Sequence, residues 1–317
     1  MLQTSVPVTI ITGYLGAGKT TLINHLLGQH HGKRYAVIIN EFGDLGIDGD
    51  LIINTDETII ELTNGCLCCS VRGDLLAALT SLRPRLEEFD GVIVETSGLA
   101  DPAPVAQTFL VDENDSRGFS LDAVIALVDA RHGATLIEQE PESAAQVAFA
   151  DRLVLTKPDL STPDAMANLR SHLRQLNPQA PITVASNGVL SHETIFGLEA
   201  FDMSRLNVSV DDRFAHHHDA DVQSVSLTSE YPIDPDRFMQ WMQRLVVVDG
   251  MKILRTKGVI NFVGETRRFV FQGVQTVLNG DVQNAWPDGP RQSRMVIIGR
   301  GLNPSTLRTD WLSTRVE

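Results

Sequence analysis

Gly13-Tyr14-Leu15-Gly16-Ala17-Gly18-Lys19-Thr20 points to a single fold class. It fits G-x4-G-K-[ST], follows the β-branched apolar run Val6–Thr12 and opens a helical pattern with Leu22, Ile23, Leu26 and Leu27 on one face. Strand, glycine loop and helix in that order form a phosphate cradle. Gly13, Gly16 and Gly18, with Ala17, let backbone N–H groups converge on phosphate oxygens, and the helix N-terminus adds positive potential. Lys19 brings a mobile charge to the β and γ phosphates. The Thr20 hydroxyl is a magnesium ligand, and Thr21 reaches an α phosphate.

Two further segments extend this reading. Residues 91–98, Gly-Val-Ile-Val-Glu-Thr-Ser-Gly, place Glu95 at the end of a buried strand, as in a Walker B element that holds or orients magnesium. Gly98, three residues on, is placed to offer its N–H to a γ phosphate. Thr156-Lys157-Pro158-Asp159 follows the strand Arg152–Thr156 and resembles [NT]-K-x-D. In that motif the aspartate accepts two hydrogen bonds from guanine, and adenine cannot supply that pair. The stem of Lys157 packs on the base, and Thr156 stands where Asn is usual.

Working outward, continuous apolar runs at 35–40, 91–96, 121–129, 152–156 and 181–185 alternate with helical patterns at 70–86 and 163–176. Runs of this kind belong to parallel strands covered on both faces. The expected fold is α/β: a doubly wound, mainly parallel P-loop NTPase sheet with a smaller C-terminal α+β domain. The expected strands of that second domain include 252–263, 267–273, 274–278 and 295–298. The expected division is 1–205 for the GTPase domain, 206–221 for a linker and 222–317 for the second domain.

Among the 317 residues, 43% are hydrophobic and 21% charged, which suits buried cores, and the formal net charge is −14. That charge repels nucleic acid and anionic membranes, so neither is an expected partner. No secretory signal and no apolar run long enough to span a bilayer is apparent, and a cytoplasmic location is expected.

All three cysteines, Cys66, Cys68 and Cys69, lie within four residues. Such an odd, clustered set is no disulfide framework. Thiolates at i, i+2 and i+3 can converge on one borderline or soft cation and leave a position open for transfer. The alternative is a group of buried small hydrophobes or a redox switch. Glu41, Asp44 and Asp48 lie in a glycine-rich segment suited to a switch between nucleotide and cysteines. His216-His217-His218 in the linker reads either as a looser metal-collecting site or as a polar linker. The three tryptophans read as packing residues.

These motifs together resemble the CobW-type metallochaperone family of P-loop GTPases, and within it the bacterial YjiA-type branch. The resemblance rests on residues 13–21, on Asn40-Glu41-Phe42-Gly43, on Thr-Asn-Gly-Cys-x-Cys-Cys ending at Cys69, and on 95–98 and 156–159. In the second domain it rests on Leu254-Arg255-Thr256-Lys257-Gly258 and Phe269-Val270-Phe271-Gln272-Gly273-Val274. It implies a GTPase that binds GTP with Mg2+ and delivers Zn2+, with Co2+ or Ni2+ as alternatives, to a client metalloprotein. Ile39 stands where family members often carry Glu, so Glu41 or Asp44 would complete the cysteine site.

The expected reaction is GTP hydrolysis, with Lys19 and Glu95 as the catalytic groups. No side chain in the switch stands out as a water-positioning base. Slow intrinsic turnover, raised by a partner or by homodimer formation, is therefore expected. The rival readings are a non-catalytic metal buffer or sensor and an ATP-using small-molecule kinase. For the second, the sequence shows no acceptor pocket.

Overall fold

The computed structural model describes residues 5–29, 32–40, 58–62, 70–110, 117–185, 189–201 and 222–316. The chain divides into two compact units, Met1–Arg170 with Ala180–Ala200, and Ser171–Gln179 with Phe201–Glu317.

The first unit is built on strands β1 (Val6–Thr12), β2 (Tyr35–Asn40), β3 (Thr58–Leu62), β4 (Gly91–Glu95), β5 (Phe119–Asp129), β6 (Arg152–Thr156) and β7 (Ile182–Val184). They form one sheet in the order β3-β2-β4-β1-β5-β6-β7, and every pair is parallel. The order spreads outward in both directions from β1, as in a doubly wound sheet. Loops at the carboxyl ends of its central strands therefore share one rim. The register fixes that rim: Ile11 pairs with Glu95, Thr12 with Ala126 and Asp129 with Thr156.

Helices α1 (Lys19–Leu27), α2 (Ser70–Leu82), α3 (Ala103–Gln107), α4 (Gly133–Gln139), α5 (Pro141–Phe149) and α6 (Pro163–Leu176) connect the strands. The expected helix over 70–86 stops short. Pro84 lacks the N–H that would continue the ladder, and residues 83–88 tighten into a 3-10 turn. The alanine-rich α5 was not anticipated at all. Its residues from Ser143 to Phe149 are all buried, so it has no polar face to set a helical period. Val8, Ile10, Leu22, Ile23, Val37, Ile93, Ile125 and Val154 are among the fully buried side chains of this unit.

The second unit carries β8 (Val222–Ser229), β9 (Ile253–Ile260), β10 (Arg267–Val274), β11 (Val277–Ala285) and β12 (Ser293–Arg300) in the antiparallel order β11-β10-β9-β12-β8. Helix α7 (Pro235–Asp249) is capped by Asp234, whose carboxylate accepts from the Asp236 and Arg237 N–H groups. Helix α8 (Pro304–Ser313) is capped in the same way by Asn303.

Phe238, Trp241 and Leu245 of α7 and Trp311 of α8 share one core with Val225, Phe271, Met295 and Ile297. Trp241 and Trp311 are thus packing residues, whereas Trp286 is half-buried outside that core. Contrary to the expected strand at 274–278, that run is the turn between β10 and β11, with Gln275 at φ 53° and Val274 facing Val277. Apolar composition cannot distinguish a strand from a hairpin apex that keeps its flanking side chains packed. Among the described residues, no helix is long and apolar enough to cross a membrane.

Candidate functional site

The loop after β1 is shaped by its glycines. Gly16 and Gly18 have φ of 74° and 93°, values that side-chain-bearing residues rarely adopt. A Cβ on Gly13 would lie 2.5 Å from the Leu127 carbonyl oxygen, so the loop can lie on β5 only without one. Gly18 is the N-cap of α1 and, being glycine, has no side chain to cap the first N–H groups of that helix. Lys19 is nearly buried and its ammonium arches over the loop to donate to the Gly13 carbonyl at 2.9 Å. Ala17 is buried, and Thr21 is exposed on the first turn of α1.

Two oxygen donors meet beside this loop. The Thr20 hydroxyl donates to Glu95 Oε1 at 3.3 Å, and Glu95 is 3% exposed at the end of β4. A hydroxyl and a buried carboxylate side by side match the hard-oxygen preference of Mg2+. Just beyond, Thr96 ties β4 to β1 twice, donating its N–H to the Ile11 carbonyl and its hydroxyl to Thr12 Oγ1.

Gly98 is buried against the P-loop: a Cβ there would lie 2.8 Å from the Leu15 nitrogen. No described residue accepts the Gly98 N–H. A buried backbone donor without a partner is uncommon and costly, which fits a donor aimed at an anionic ligand.

The Thr156–Asp159 segment is held directly on the same loop. Thr156 is buried, and its hydroxyl donates to the Ala17 carbonyl at 2.8 Å. Lys157, in the left-handed region at φ 51°, donates from Nζ to the Gly16 carbonyl at 2.6 Å. Thr156, the residue that departs from the usual Asn, thus ties the strand end to the P-loop with one short donor. Asp159 sits in the 3-10 turn Pro158–Leu160; it is exposed, and its carboxylate accepts from no described residue.

Sequence reading missed Asp129, at the end of β5. Its carboxylate accepts from Lys157 Nζ at 2.8 Å and from the N–H groups of Arg131 and His132 at 2.8 and 3.0 Å. Burial by itself would raise this carboxyl. The Lys157 ammonium and the two N–H donors outweigh it, and its pKa lies below the ordinary carboxylate value. With the folded-state pKa depressed, the pair is intact at neutral pH and is lost only as pH falls through that value. Asp129 thereby fixes the Lys157 ammonium.

Cys66, Cys68, Cys69, Glu41 and Asp44 lie outside the described residues, as do His216, His217 and His218 and the expected linker at 206–221. Among the described residues, no group of three or more His, Cys, Asp and Glu is placed to hold a metal ion.

Residues 7–184 match the CobW/HypB/UreG nucleotide-binding domain, and residues 222–315 match the Cobalamin synthesis protein cobW C-terminal domain. The chain is 37% identical to the zinc chaperone YjiA of Escherichia coli over 316 residues, 98% of this chain and 99% of the relative. It is 29% identical to the zinc-regulated GTPase metalloprotein activator 1 of Schizosaccharomyces pombe, over 94% of this chain and 83% of that one. The crystal structure of Zn(II)-bound YjiA GTPase from E. coli superposes with a TM-score of 0.83 at 30% identity, covering 99% of this chain and all of the other. The chain belongs to the CobW family, with a CobW/HypB/UreG-type nucleotide-binding domain followed by a cobW-type C-terminal domain.

Proposed function

We propose that this chain is a GTP-hydrolysing metallochaperone that takes up Zn2+ and hands it to a client metalloprotein, with nucleotide state controlling the exchange. The observation that carries the nucleotide half is the convergence on one loop of Lys19, the Thr20–Glu95 pair, and the Thr156 and Lys157 donors. Zinc is supported by the names of relatives that span nearly the whole chain, and by three clustered cysteines with no disulfide partner elsewhere in the sequence.

In this reading Gly13, Gly16, Ala17, Gly18, Lys19 and Thr21 bind the phosphates. Lys157 and Asp159 read guanine, and Thr156 secures them. Thr20 and Glu95 would hold Mg2+, which supplies charge neutralisation on the phosphates when bound. Gly98 offers its N–H to the γ phosphate. Lys19 would stabilise the charge that builds on the transferred phosphoryl group, and Glu95 would orient water at the magnesium site.

Cys66, Cys68 and Cys69, with Glu41 or Asp44, are the proposed zinc ligands; Co2+ and Ni2+ are alternatives that availability would decide. We place the protein in the cytoplasm, with 206–221 linking a GTPase domain at 1–205 to a second domain at 222–317. Either the client or a second copy of the chain raises its turnover.

Phosphate release from GTP and ATP, each with and without Zn2+, tests the enzymatic claim. Sustained release from GTP, well above that from ATP, is expected. An absence of release from GTP under every condition would instead make the protein a metal buffer that uses nucleotide as a structural ligand.

A further inference from the structure

Gln146 is an amide at 1% exposure in the middle of α5, flanked by Ala145 and Val147. Its Nε2 donates to two backbone carbonyls of the loop after Glu95, those of Gly98 at 3.0 Å and Ala100 at 3.1 Å. Two carbonyls can only accept, so the nitrogen end of the amide must be the one that faces them. The oxygen end, Oε1, is buried without a hydrogen-bond partner. Gln146 also lines a small cavity with Tyr14, Leu15, Asp129 and Ser143.

A buried amide with an unsatisfied acceptor weakens a core that an apolar side chain would fill at less cost. What the amide provides is its hold on the loop. That loop has few other ties: the Ala100 N–H donates to the Ser97 carbonyl, and the Leu99 N–H makes a long 3.4 Å contact with Ser97 Oγ. Glycine has broad backbone freedom, so the direction of the Gly98 N–H is not set by Gly98 itself. That N–H lies in the peptide plane of the Ser97 carbonyl, which accepts from the Ala100 N–H, so holding the carbonyls of residues 98 and 100 fixes the turn that orients it.

We infer that Gln146 is a positioning residue that holds the 98–100 loop with the Gly98 N–H presented to the γ phosphate, and so sets the discrimination between GTP and GDP. This inference rests on the guanine-nucleotide reading above and adds the residue that makes its γ-phosphate contact selective. The placement also links two parts of the site. Helix α5 leads directly into β6, whose end carries Thr156 and Lys157.

The test compares the full-length wild type with Gln146→Leu, and with Ser143→Ala as a control one turn earlier on the same helix. Affinities for a non-hydrolysable GTP analogue and for GDP are measured with Mg2+ by calorimetry. Gln146→Leu should weaken the GTP analogue about tenfold and leave GDP within about twofold, because only the triphosphate uses the Gly98 N–H. Ser143→Ala should change neither.

Equal weakening of both nucleotides, or of neither, overturns the inference. Gln146→Met, unbranched and of similar length, serves if the leucine variant does not fold. In the wild type, hydrogen exchange at the 98 amide should slow with the GTP analogue and not with GDP; equal protection by both also overturns it. A wild type that binds the ATP analogue as well as the GTP analogue contradicts the underlying reading, which separates the two kinds of failure.

Discussion

Lys19→Ala lowers GTP turnover by about 10²–10³-fold, the cost of deleting one preorganised group that faces charge developing in a transition state. The fold should tolerate the change. Lys19 is nearly buried, but its hydrogen bond to Gly13 closes the loop and is no part of the sheet ladder. Loss of one such bond is worth about 1 kcal/mol, so the melting temperature should move by only a few degrees. The measurement is steady-state phosphate release at saturating GTP beside a thermal melt. Undiminished turnover would mean that the phosphates are not held at residues 13–21.

Asp159→Asn weakens GTP by about 10²-fold and leaves ATP nearly unchanged. A carboxylate accepts two hydrogen bonds from guanine, each worth about 1.5–3 kcal/mol to a charged acceptor. Asparagine keeps one acceptor and turns an N–H toward a donor. Asp159 is exposed and its side chain makes no hydrogen bond or ion pair among the described residues, so its replacement should cost the fold little. Displacement of a fluorescent GTP analogue by GTP and by ATP gives both affinities. If the variant keeps the full preference for GTP, the base is read elsewhere and Asp159 is only a turn residue.

Both predictions use residues that were legible in the sequence, for a physical reason. A P-loop and a [NT]-K-x-D turn are local devices: the residues that act are contiguous, and the strand before each one is a continuous apolar run. The parallel sheet was legible because strands buried on both faces lose their polar alternation. Glu95 was readable for the same reason, as the first acid after such a run.

Asp129 and Gln146 were not legible. Asp129 acts through Lys157, 28 residues away, and Gln146 acts on Gly98, 48 residues away. Nothing in their neighbourhoods announces these partners. Asp129 closes an apolar strand as an ordinary solvated acid would. Gln146 interrupts an alanine-rich run that carries no helical period.

Thr156 shows the opposite case. The sequence presents it as a departure from Asn. Its hydroxyl nevertheless reaches the Ala17 carbonyl, so a short side chain with one donor performs the tethering role. The hairpin at 274–278 failed for a different reason, since turn chemistry there is hidden in an apolar run with a single residue, Gln275, at positive φ.

In the proposed mechanism phosphate recognition is the timing element for a metal site about fifty residues downstream. Coupling of that kind is reciprocal: if nucleotide state changes zinc affinity, zinc changes nucleotide affinity by the same factor. The most direct measurement is zinc affinity by competition with a chromophoric chelator, made on the full chain with a non-hydrolysable GTP analogue, with GDP, and without nucleotide. A difference of about tenfold or more between the GTP-analogue and GDP states is expected, with Cys66→Ala weakening binding in both. Identical zinc affinity in all three states would contradict a nucleotide-controlled metallochaperone.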